Sequence, residues 1–203
     1  MTFVRYQHIE HLDSSNAQGL TTGLCHVFAK LDGSNGSVFV EDGEIRCASR
    51  NMKLDDNHPM TRFVKSNQGI VSLLSDHPQL RLYGEWMVPH TVRDYTGDTW
   101  NRFFVFDVVT DTGEFHVEVD AGGEKVSLDH SGDPYLPYET YSRLLDVYGV
   151  DYIPLITTVE SPSREDLEAI ADTRSGYRIF GDGSGEGIVV KRYGYRNPFG
   201  QET

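Results

Sequence analysis

Short apolar runs separated by glycine-containing polar breaks dominate the pattern of hydrophobic and polar positions along this chain. Residues 20–40 form two such runs around a polar break at residues 30–36. A turn at residues 41–43 then leads into residues 45–49, which are predicted to form the second strand of a hairpin. Further runs of this kind, which predict strands, lie at residues 80–88, 103–109, 115–119, 152–156 and 188–190. The pattern therefore favours a strand-rich fold, with residues 188–190 as a last buried strand.

Helices are predicted for residues 60–74 and 137–148, where apolar positions recur every three or four residues, and for residues 164–172, which follow a helix start signal. Gly69 interrupts the first of these patterns, and Gly149 follows the second as a C-terminal stop. The third opens on Ser163 with Asp166 three residues later, which is the spacing of a capping box, and Gly176 lies past its end. Together with the strands, these helices predict an α+β fold of antiparallel β-sheets with flanking helices, in a single domain.

The composition is that of a chain that can form a core but carries a strong negative charge. Of 203 residues, 38% are hydrophobic, and 18 Lys and Arg against 31 Asp and Glu give a formal net charge of −13. No run approaches the roughly 20 apolar residues of a membrane span, and the N-terminus lacks the apolar segment of a secretory signal. Cys25 and Cys47 are too few for a disulfide framework, which favours a reduced, cytoplasmic location. The net charge argues against a protein that binds polyanions through a broadly basic surface.

The first segment with candidate chemistry is Lys30-Leu31-Asp32-Gly33-Ser34-Asn35, at the end of a predicted strand. A lysine beside a carboxylate and a flexible glycine can act as a covalent nucleophile. Taken alone, the same pattern is more often a solvated turn. Arg50 ends the neighbouring strand and is able to bind a phosphate, although most surface arginines are simply solvated.

Two further segments lie within apolar strands. Glu85 follows a glycine inside such a strand, where a carboxylate needs hydrogen-bond donors that a sugar hydroxyl would supply, unless it faces water from an edge strand. Phe106 and Asp107 end a run with three aromatic residues in four positions. Such aromatics usually belong to the core, but one of them can instead form a platform for a purine ring.

The last segment is Gly185-Glu186-Gly187-Ile188-Val189-Val190-Lys191. Glu186 lies at the start of a strand, where it could hold a divalent cation, and Lys191 ends the same strand, where it could meet a phosphate. The preceding residues 181–184 are glycine-rich but lack the Gly-Lys-Ser/Thr ending of a P-loop, which excludes that interpretation.

The order of these segments is more informative than any one of them. It resembles the motif series of the covalent nucleotidyltransferase superfamily, which contains polynucleotide ligases and mRNA capping enzymes, and it spans residues 30–191. Ser34 and Asn35 after the first glycine are similar to the nucleotidyltransferase domain of phage-type and RNA-editing RNA ligases. DNA ligases and capping enzymes usually carry an arginine two positions after that glycine.

The resemblance implies an ATP-dependent RNA ligase that works through a lysyl-adenylate. Lys30 would attack the α-phosphate of ATP, with Mg²⁺ or Mn²⁺ offsetting phosphate charge, and AMP would pass to an RNA 5′-phosphate. Attack by an RNA 3′-hydroxyl would then seal a 3′–5′ phosphodiester. The implied setting is RNA end joining or repair by a cytoplasmic monomer without a membrane partner. The acidic remainder of the chain then predicts weak long-range affinity for RNA.

The resemblance also implies roles for the residues that would bind the nucleotide. Asn35 would contact the sugar or phosphate, Arg50 a phosphate, and Glu85 the ribose hydroxyls. Phe106 would stack on the adenine, with Asp107 supporting it.

Four residues would carry the chemistry, again by resemblance. Lys30 would be the nucleophile, and Asp32 would shape its loop. Glu186, with Asp107, would bind the metal ion. Lys191 would contact the α-phosphate and help to keep Lys30 unprotonated.

The family has one further motif, W-x-K or K-x-K, beyond the Glu-Gly-Ile-Val strand, and residues 197–203 contain no lysine. We therefore expect a nucleotidyltransferase domain over residues 1–203 that lacks this motif and any C-terminal domain, either as a piece of a longer ligase or as a natural form. Two alternatives remain open at this point. One is a DNA ligase or a GTP-dependent capping-type enzyme, and the other is a non-catalytic module that binds nucleotides or RNA ends.

Overall fold

The structure, a computed structural model, describes residues 1–93, 95–172 and 185–198. Its strands are β1 (Leu24–Lys30), β2 (Ser34–Glu41), β3 (Glu44–Ser49), β4 (Leu80–Trp86), β5 (Phe103–Thr110), β6 (Glu114–Ala121), β7 (Glu124–Ser131), β8 (Leu155–Glu160) and β9 (Gly187–Lys191). Its α-helices are α1 (Pro59–Ser66), α2 (Gln68–Asp76), α3 (Tyr138–Tyr148) and α4 (Arg164–Asp172). All pairings between these strands are antiparallel, and helices α1 to α4 accompany them, which confirms the predicted α+β class.

The chain divides into two compact units. Residues 1–6, 33–88 and 100–153 form the first, which we call the four-stranded unit after its sheet of order β3-β2-β4-β5. It also contains the hairpin β6-β7 and helices α1 to α3. Residues 7–32, 89–99 and 154–203 form the second, which we call the three-stranded unit after its sheet of order β8-β1-β9. The expectation of one nucleotidyltransferase domain over residues 1–203 stays a prediction.

The core of the four-stranded unit lies between its sheet and its helices. The predicted helix over residues 60–74 is two helices, because Asn67 between them has extended backbone angles. Its side chain accepts a hydrogen bond from the backbone N–H of Ile70 at 3.0 Å, so that Asn67 caps α2. The fully buried side chains of this core include Leu73, Leu74, Leu80, Leu82, Phe103, Tyr141 and Leu144.

The three-stranded unit has β1 at its centre, with β8 and β9 paired on either side. Residues 25–29 of β1 are buried, as a central strand requires. Strand β9 confirms the predicted last strand at residues 188–190, but it is half-buried along its whole length, so the prediction that this strand is buried is wrong. The predicted strand at residues 152–156 is also displaced. Its first residues pair with β5 through the N–H of Ile153, which donates to the carbonyl of Val105 at 2.8 Å, and β8 begins only at Leu155.

The short sequence motifs at helix ends and turns correctly predict helices α3 and α4 and the β2-β3 hairpin. Helix α3 ends at Gly149, whose φ of 64° is the left-handed conformation of a C-terminal stop. At the start of α4, the backbone N–H of Asp166 donates to Ser163 Oγ at 3.2 Å, and the N–H of Ser163 donates back to the Asp166 carboxylate at 2.9 Å. This confirms the capping box. The turn between β2 and β3 is also confirmed, whereas Gly176 lies outside the described residues.

Strand β7 was not predicted, because its exposed, charged sequence lacks a long apolar run. In the part of the chain that the structure describes, no helix is long and apolar enough to cross a membrane.

Candidate active site

Lys30, the predicted nucleophile, ends the central strand of the three-stranded unit. The register pairs it with Gly187 at the start of β9, which brings the preceding Glu186 beside it. Lys30 Nζ forms an ion pair with Glu186 Oε1, and each of the two side chains is 35% exposed. Two motifs that are 156 residues apart in sequence therefore meet at one end of this sheet.

Lys191 lies on the same sheet face as Lys30. It pairs in register with His26 on β1, and residues two apart along a strand share a face, so His26, Phe28 and Lys30 form one row. The ammonium of Lys191 lies 5.1 Å from the centroid of the Phe28 ring, a cation–π distance. The structure thus gathers Lys30, Glu186 and Lys191 in one unit.

Asp32 follows β1 and is held on both carboxylate oxygens. Oδ1 lies 2.8 Å from Nδ1 of His90, and Oδ2 accepts a hydrogen bond from the backbone N–H of Val92 at 2.6 Å. Its own backbone N–H donates to the hydroxyl of Tyr95 at 3.0 Å. Burial by itself raises the pKa of Asp32, but the bonds from Val92 and His90 and the charge of His90 outweigh burial and hold the pKa below its ordinary value.

His90 and Tyr95 were missed by sequence reasoning. They lie in a polar stretch after β4 without periodicity or a motif, so no local signal distinguishes them from other loop residues. Their contacts with Asp32 show that His90 and Tyr95 help to shape the loop that follows the predicted nucleophile.

Asn35 and Glu85 lie opposite each other on β2 and β4 of the four-stranded unit. Directly opposed residues on adjacent antiparallel strands share a sheet face, so their side chains are neighbours. Glu85 Oε1 accepts a hydrogen bond from the backbone N–H of Gly33 at 3.0 Å. A Cβ at position 33 would lie 2.6 Å from the carbonyl oxygen of Trp86, so this close approach requires glycine. The Gly33 of the first motif and the Glu85 of another motif are therefore in contact.

Phe106 is the extra residue of a bulge in β5. Tyr83 pairs with Asp107 and Gly84 pairs with Val105, which leaves Phe106 without an opposite residue. Its side chain is half-buried, while Asp107 is only 3% exposed. The Asp107 carboxylate accepts a hydrogen bond from the hydroxyl of Tyr6 at 2.6 Å. Tyr6 is a second residue that sequence reasoning missed.

Arg50 lies just after β3 and is exposed. Among the ion pairs of residues 1–93, 95–172 and 185–198, none involves Arg50. The structure does not bring it into hydrogen-bonding contact with Glu85 or Phe106.

The described residues contain no group of three or more His, Cys, Asp or Glu side chains arranged to hold a metal ion. The two predicted metal ligands also have other partners, because Glu186 pairs with Lys30 and Asp107 accepts the Tyr6 hydroxyl. Their assignment as metal ligands stays a prediction.

The cysteines do not compete with Lys30 for the role of nucleophile. Both are buried and unpaired with each other. Burial raises the pKa of Cys25 above its ordinary value and that of Cys47 to about 12, so neither thiol ionises readily near neutral pH.

Comparison with known proteins gives a consistent answer about the family. The sequence model of the RNA ligase family matches residues 25–201. No curated protein sequence gives a significant match to the chain.

The fold is similar to several solved structures. Naegleria gruberi RNA ligase with PPi has a TM-score of 0.62 at 18% sequence identity, over 100% of this chain and 55% of that one. A mutant of the same ligase with ATP and Mn has a TM-score of 0.63 at 17% identity, over 100% and 55%. An archaeal ATP-dependent RNA ligase has a TM-score of 0.60 at 22% identity, over 92% of this chain and 44% of that one. At these identities the similarity establishes the fold alone, and this chain spans about half the length of those proteins.

Proposed function

The chain belongs to the RNA ligase family, and from this premise we propose that it is the nucleotidyltransferase part of an ATP-dependent RNA ligase. The observation that carries the proposal is the ion pair between Lys30 and Glu186. It joins the lysine of the K-x-D-G segment to the glutamate of the E-G-I-V-V-K segment, and Lys191 of the latter lies on the same sheet face.

The first step is the transfer of AMP from ATP to Lys30. The lone pair of Lys30 Nζ attacks the α-phosphorus of ATP and forms an N–P bond. The bond between the α-phosphorus and the oxygen that bridges the α- and β-phosphates breaks. Pyrophosphate leaves with that electron pair. Attack requires an unprotonated amine, so the proton that Lys30 shares with Glu186 has to leave first, and the neighbouring carboxylate is the acceptor within reach.

The charged residues around this step have electrostatic roles. The α-phosphate gains negative charge in the transition state, and a positioned ammonium such as that of Lys191 stabilises it. The Phe28 ring under that ammonium restricts where it lies. Arg50 is an exposed cation at the end of β3 and would bind a phosphate of the nucleotide or of the RNA.

The residues of the four-stranded unit would bind the nucleoside. Glu85 and Asn35 are adjacent hydrogen-bonding side chains that suit ribose hydroxyls. Phe106 offers a half-buried ring to a purine, and Asp107 supports its neighbour through the Tyr6 hydroxyl. In the loop after Lys30, Asp32 fixes the backbone by its bonds to His90 and Val92.

A divalent cation, Mg²⁺ or Mn²⁺, would neutralise charge on the reacting phosphates when bound. Glu186 fits the role of ligand because it is partly exposed and can exchange Lys30 for a cation. Asp107 fits it less well, because its buried carboxylate already accepts a hydrogen bond from the Tyr6 hydroxyl. It suits the support of Phe106 better.

The later steps use an RNA substrate. AMP passes from Lys30 to an RNA 5′-phosphate, and an RNA 3′-hydroxyl then displaces AMP to form a 3′–5′ phosphodiester. In this proposal the protein acts as a cytoplasmic monomer in RNA repair.

Covalent labelling tests the first step. The chain is incubated with Mg²⁺ and ATP that is radiolabelled at the α-phosphate, and the products are separated under denaturing conditions. We expect an acid-labile label that is lost in Lys30→Ala and kept in Lys125→Ala, a matched change of an exposed lysine on β7. The labelled protein should then transfer AMP to a 5′-phosphorylated RNA.

The outcome also separates the alternatives. A label that survives in Lys30→Ala contradicts the proposed nucleophile. Stronger labelling by GTP than by ATP indicates a capping-type enzyme, and transfer to DNA but not RNA indicates a DNA ligase. Tight ATP binding by calorimetry without any covalent label indicates a non-catalytic nucleotide-binding protein.

A further inference from the structure

The bulge in β5 makes the direction of the Phe106 side chain depend on its local contacts. A bulged residue has no cross-strand partner, and it is not constrained by the regular alternation of the sheet. Val105 and Asp107 on either side remain paired with β4 and buried. Contacts of the Phe106 ring itself therefore contribute to its orientation.

Tyr6 contacts both Phe106 and its neighbour. The two ring centroids lie 5.0 Å apart at an interplanar angle of 64°, the edge-to-face geometry that aromatic pairs prefer. The Tyr6 hydroxyl donates to Asp107 Oδ2 at 2.6 Å, and its ring also packs on Tyr83 at 4.9 Å. Burial, followed by the charge of Asp107, raises the pKa of Tyr6 well above its ordinary value, so the hydroxyl stays protonated and remains a donor.

The backbone of Phe106 is held from a different direction. The hydroxyl of Tyr141 on α3 donates to the Phe106 carbonyl at 3.2 Å. This bond restrains the backbone of Phe106, whereas the edge-to-face contact with Tyr6 acts on the ring itself and restrains its orientation.

Tyr6 itself is firmly placed, although it lies close to the N-terminus. The carbonyl of Thr2 accepts a hydrogen bond from the Arg81 guanidinium at 2.5 Å, and the carbonyl of Val4 accepts one from the Tyr83 hydroxyl at 3.0 Å. The guanidinium of Arg81 lies over the ring of Phe39, 4.7 Å from its centroid. Terminal residues are usually poorly ordered unless they are tied down, and these contacts tie this segment to β4.

We propose that Tyr6 is a positioning residue for a purine base, which orients the bulged Phe106 ring so that the base can stack on it. This inference rests on the proposed function, because it assumes that Phe106 is the base platform. Tyr6 acts through Phe106 and is not assigned a contact with the nucleotide.

Equilibrium binding of ATP and UTP, measured by calorimetry without divalent metal, tests this role apart from the covalent step. A pyrimidine stacks on a smaller area, so a loss of platform orientation affects ATP more. We expect Tyr6→Leu, which removes the ring, to weaken ATP binding about tenfold and UTP binding much less, given the usual strength of base stacking. Tyr6→Phe keeps the ring contact and should weaken ATP binding by less than Tyr6→Leu.

Tyr148→Phe is the matched control. Its hydroxyl donates to the Asp76 carboxylate at 2.8 Å, so the change removes a similar Tyr–Asp hydrogen bond elsewhere in the four-stranded unit. We expect its ratio of ATP to UTP affinity to equal that of the wild type, and thermal melting of all variants reports general destabilisation.

One outcome overturns the proposal: an unchanged ratio of ATP to UTP affinity in folded Tyr6→Leu, whether both affinities are retained or both fall equally. Where that variant does not fold, Tyr6→Met, which also removes the ring, gives the same test. If the wild type binds ATP but forms no lysyl-adenylate, the proposed function fails while the role of Tyr6 is still decided by the ratio.

Discussion

In the four-stranded unit, the candidate carboxylates Glu85 and Asp107 are bonded to uncharged donors, a backbone N–H and a tyrosine hydroxyl. In the three-stranded unit, Lys30 and Glu186 are partly exposed and hold each other by opposite charge. The surroundings differ in the same sense. Strand β4 is almost wholly buried, whereas β9 is half-buried throughout.

This difference separates two tasks of a nucleotidyltransferase. A carboxylate held by neutral donors keeps its position whether or not a ligand is present, which suits the recognition of a nucleoside. An ion pair must separate before its lysine can attack, and an exposed pair separates at low cost because water screens it. In the proposed function, the residues that would bind the nucleoside are held by the fold, whereas Lys30 and Glu186 would exchange partners during the reaction.

Truncating one apolar side chain in each sheet should give the largest difference in the free energy of unfolding. Leu82→Ala removes a fully buried side chain of β4, and we expect it to lower the free energy of unfolding by about 3 kcal/mol, within the usual range for such cavities. Val190→Ala on half-buried β9 should lower it by about 1 kcal/mol. Hydrogen exchange followed by mass spectrometry measures both, since it reports on peptides from each sheet. Equal losses of protection would contradict the contrast in burial.

Isosteric changes of the two glutamates test whether the two tasks separate in kinetics. Glu186→Gln keeps the shape but removes the carboxylate that would accept the Lys30 proton, and we expect the rate of lysyl-adenylate formation to fall about 100-fold, as on the loss of a positioned general base. Glu85→Gln retains a carbonyl oxygen that can still accept the Gly33 N–H, so it should chiefly raise the KM for ATP. Single-turnover labelling over a range of ATP concentrations separates the two effects. A fall in rate with Glu85→Gln as large as with Glu186→Gln would show that the division of tasks is wrong.

The sequence predicts elements well where the signal is local. The capping box of Ser163 and Asp166 and the stop at Gly149 mark their helices within a residue or two, because the capping contacts involve neighbours in sequence. Strand β8 lies later in the chain than the strand predicted at residues 152–156. Its position depends on which residues pair with β1 and on the pairing of Ile153 with β5. No local pattern carries that information.

The same distinction applies to the candidate site. The order of the motifs predicts that Lys30 and Glu186 belong to one site. No local periodicity could predict their contact, because 156 residues separate them. The bulge at Phe106 arises from a mismatch in register between β4 and β5, and the contact of Tyr6 with it joins residues 100 positions apart. His90 became visible only through its bond to Asp32. Sequence reasoning named the candidate site residues, but not Tyr6 and His90, which contact Asp107 and Asp32.

The smallest expected effect concerns Asp32. It is a buried residue of the three-stranded unit, but its carboxylate is held by hydrogen bonds, like those of Glu85 and Asp107 in the four-stranded unit. Its pKa in the folded protein lies below the ordinary value, so its contribution to stability is present above the unfolded-state pKa of about 4 and is lost as the pH falls through the folded-state pKa. Asp32→Asn keeps one acceptor for the Val92 N–H but loses the charge, and we expect it to lower the free energy of unfolding by about 1 kcal/mol at pH 7. Urea denaturation followed by circular dichroism at several pH values between 3 and 7 measures the difference from the wild type, which should shrink below about pH 4 because protonated Asp32 also lacks the charge. A difference that stays constant over this range would mean that the charge of Asp32 does not contribute, and that only the shape of its side chain holds the loop after Lys30.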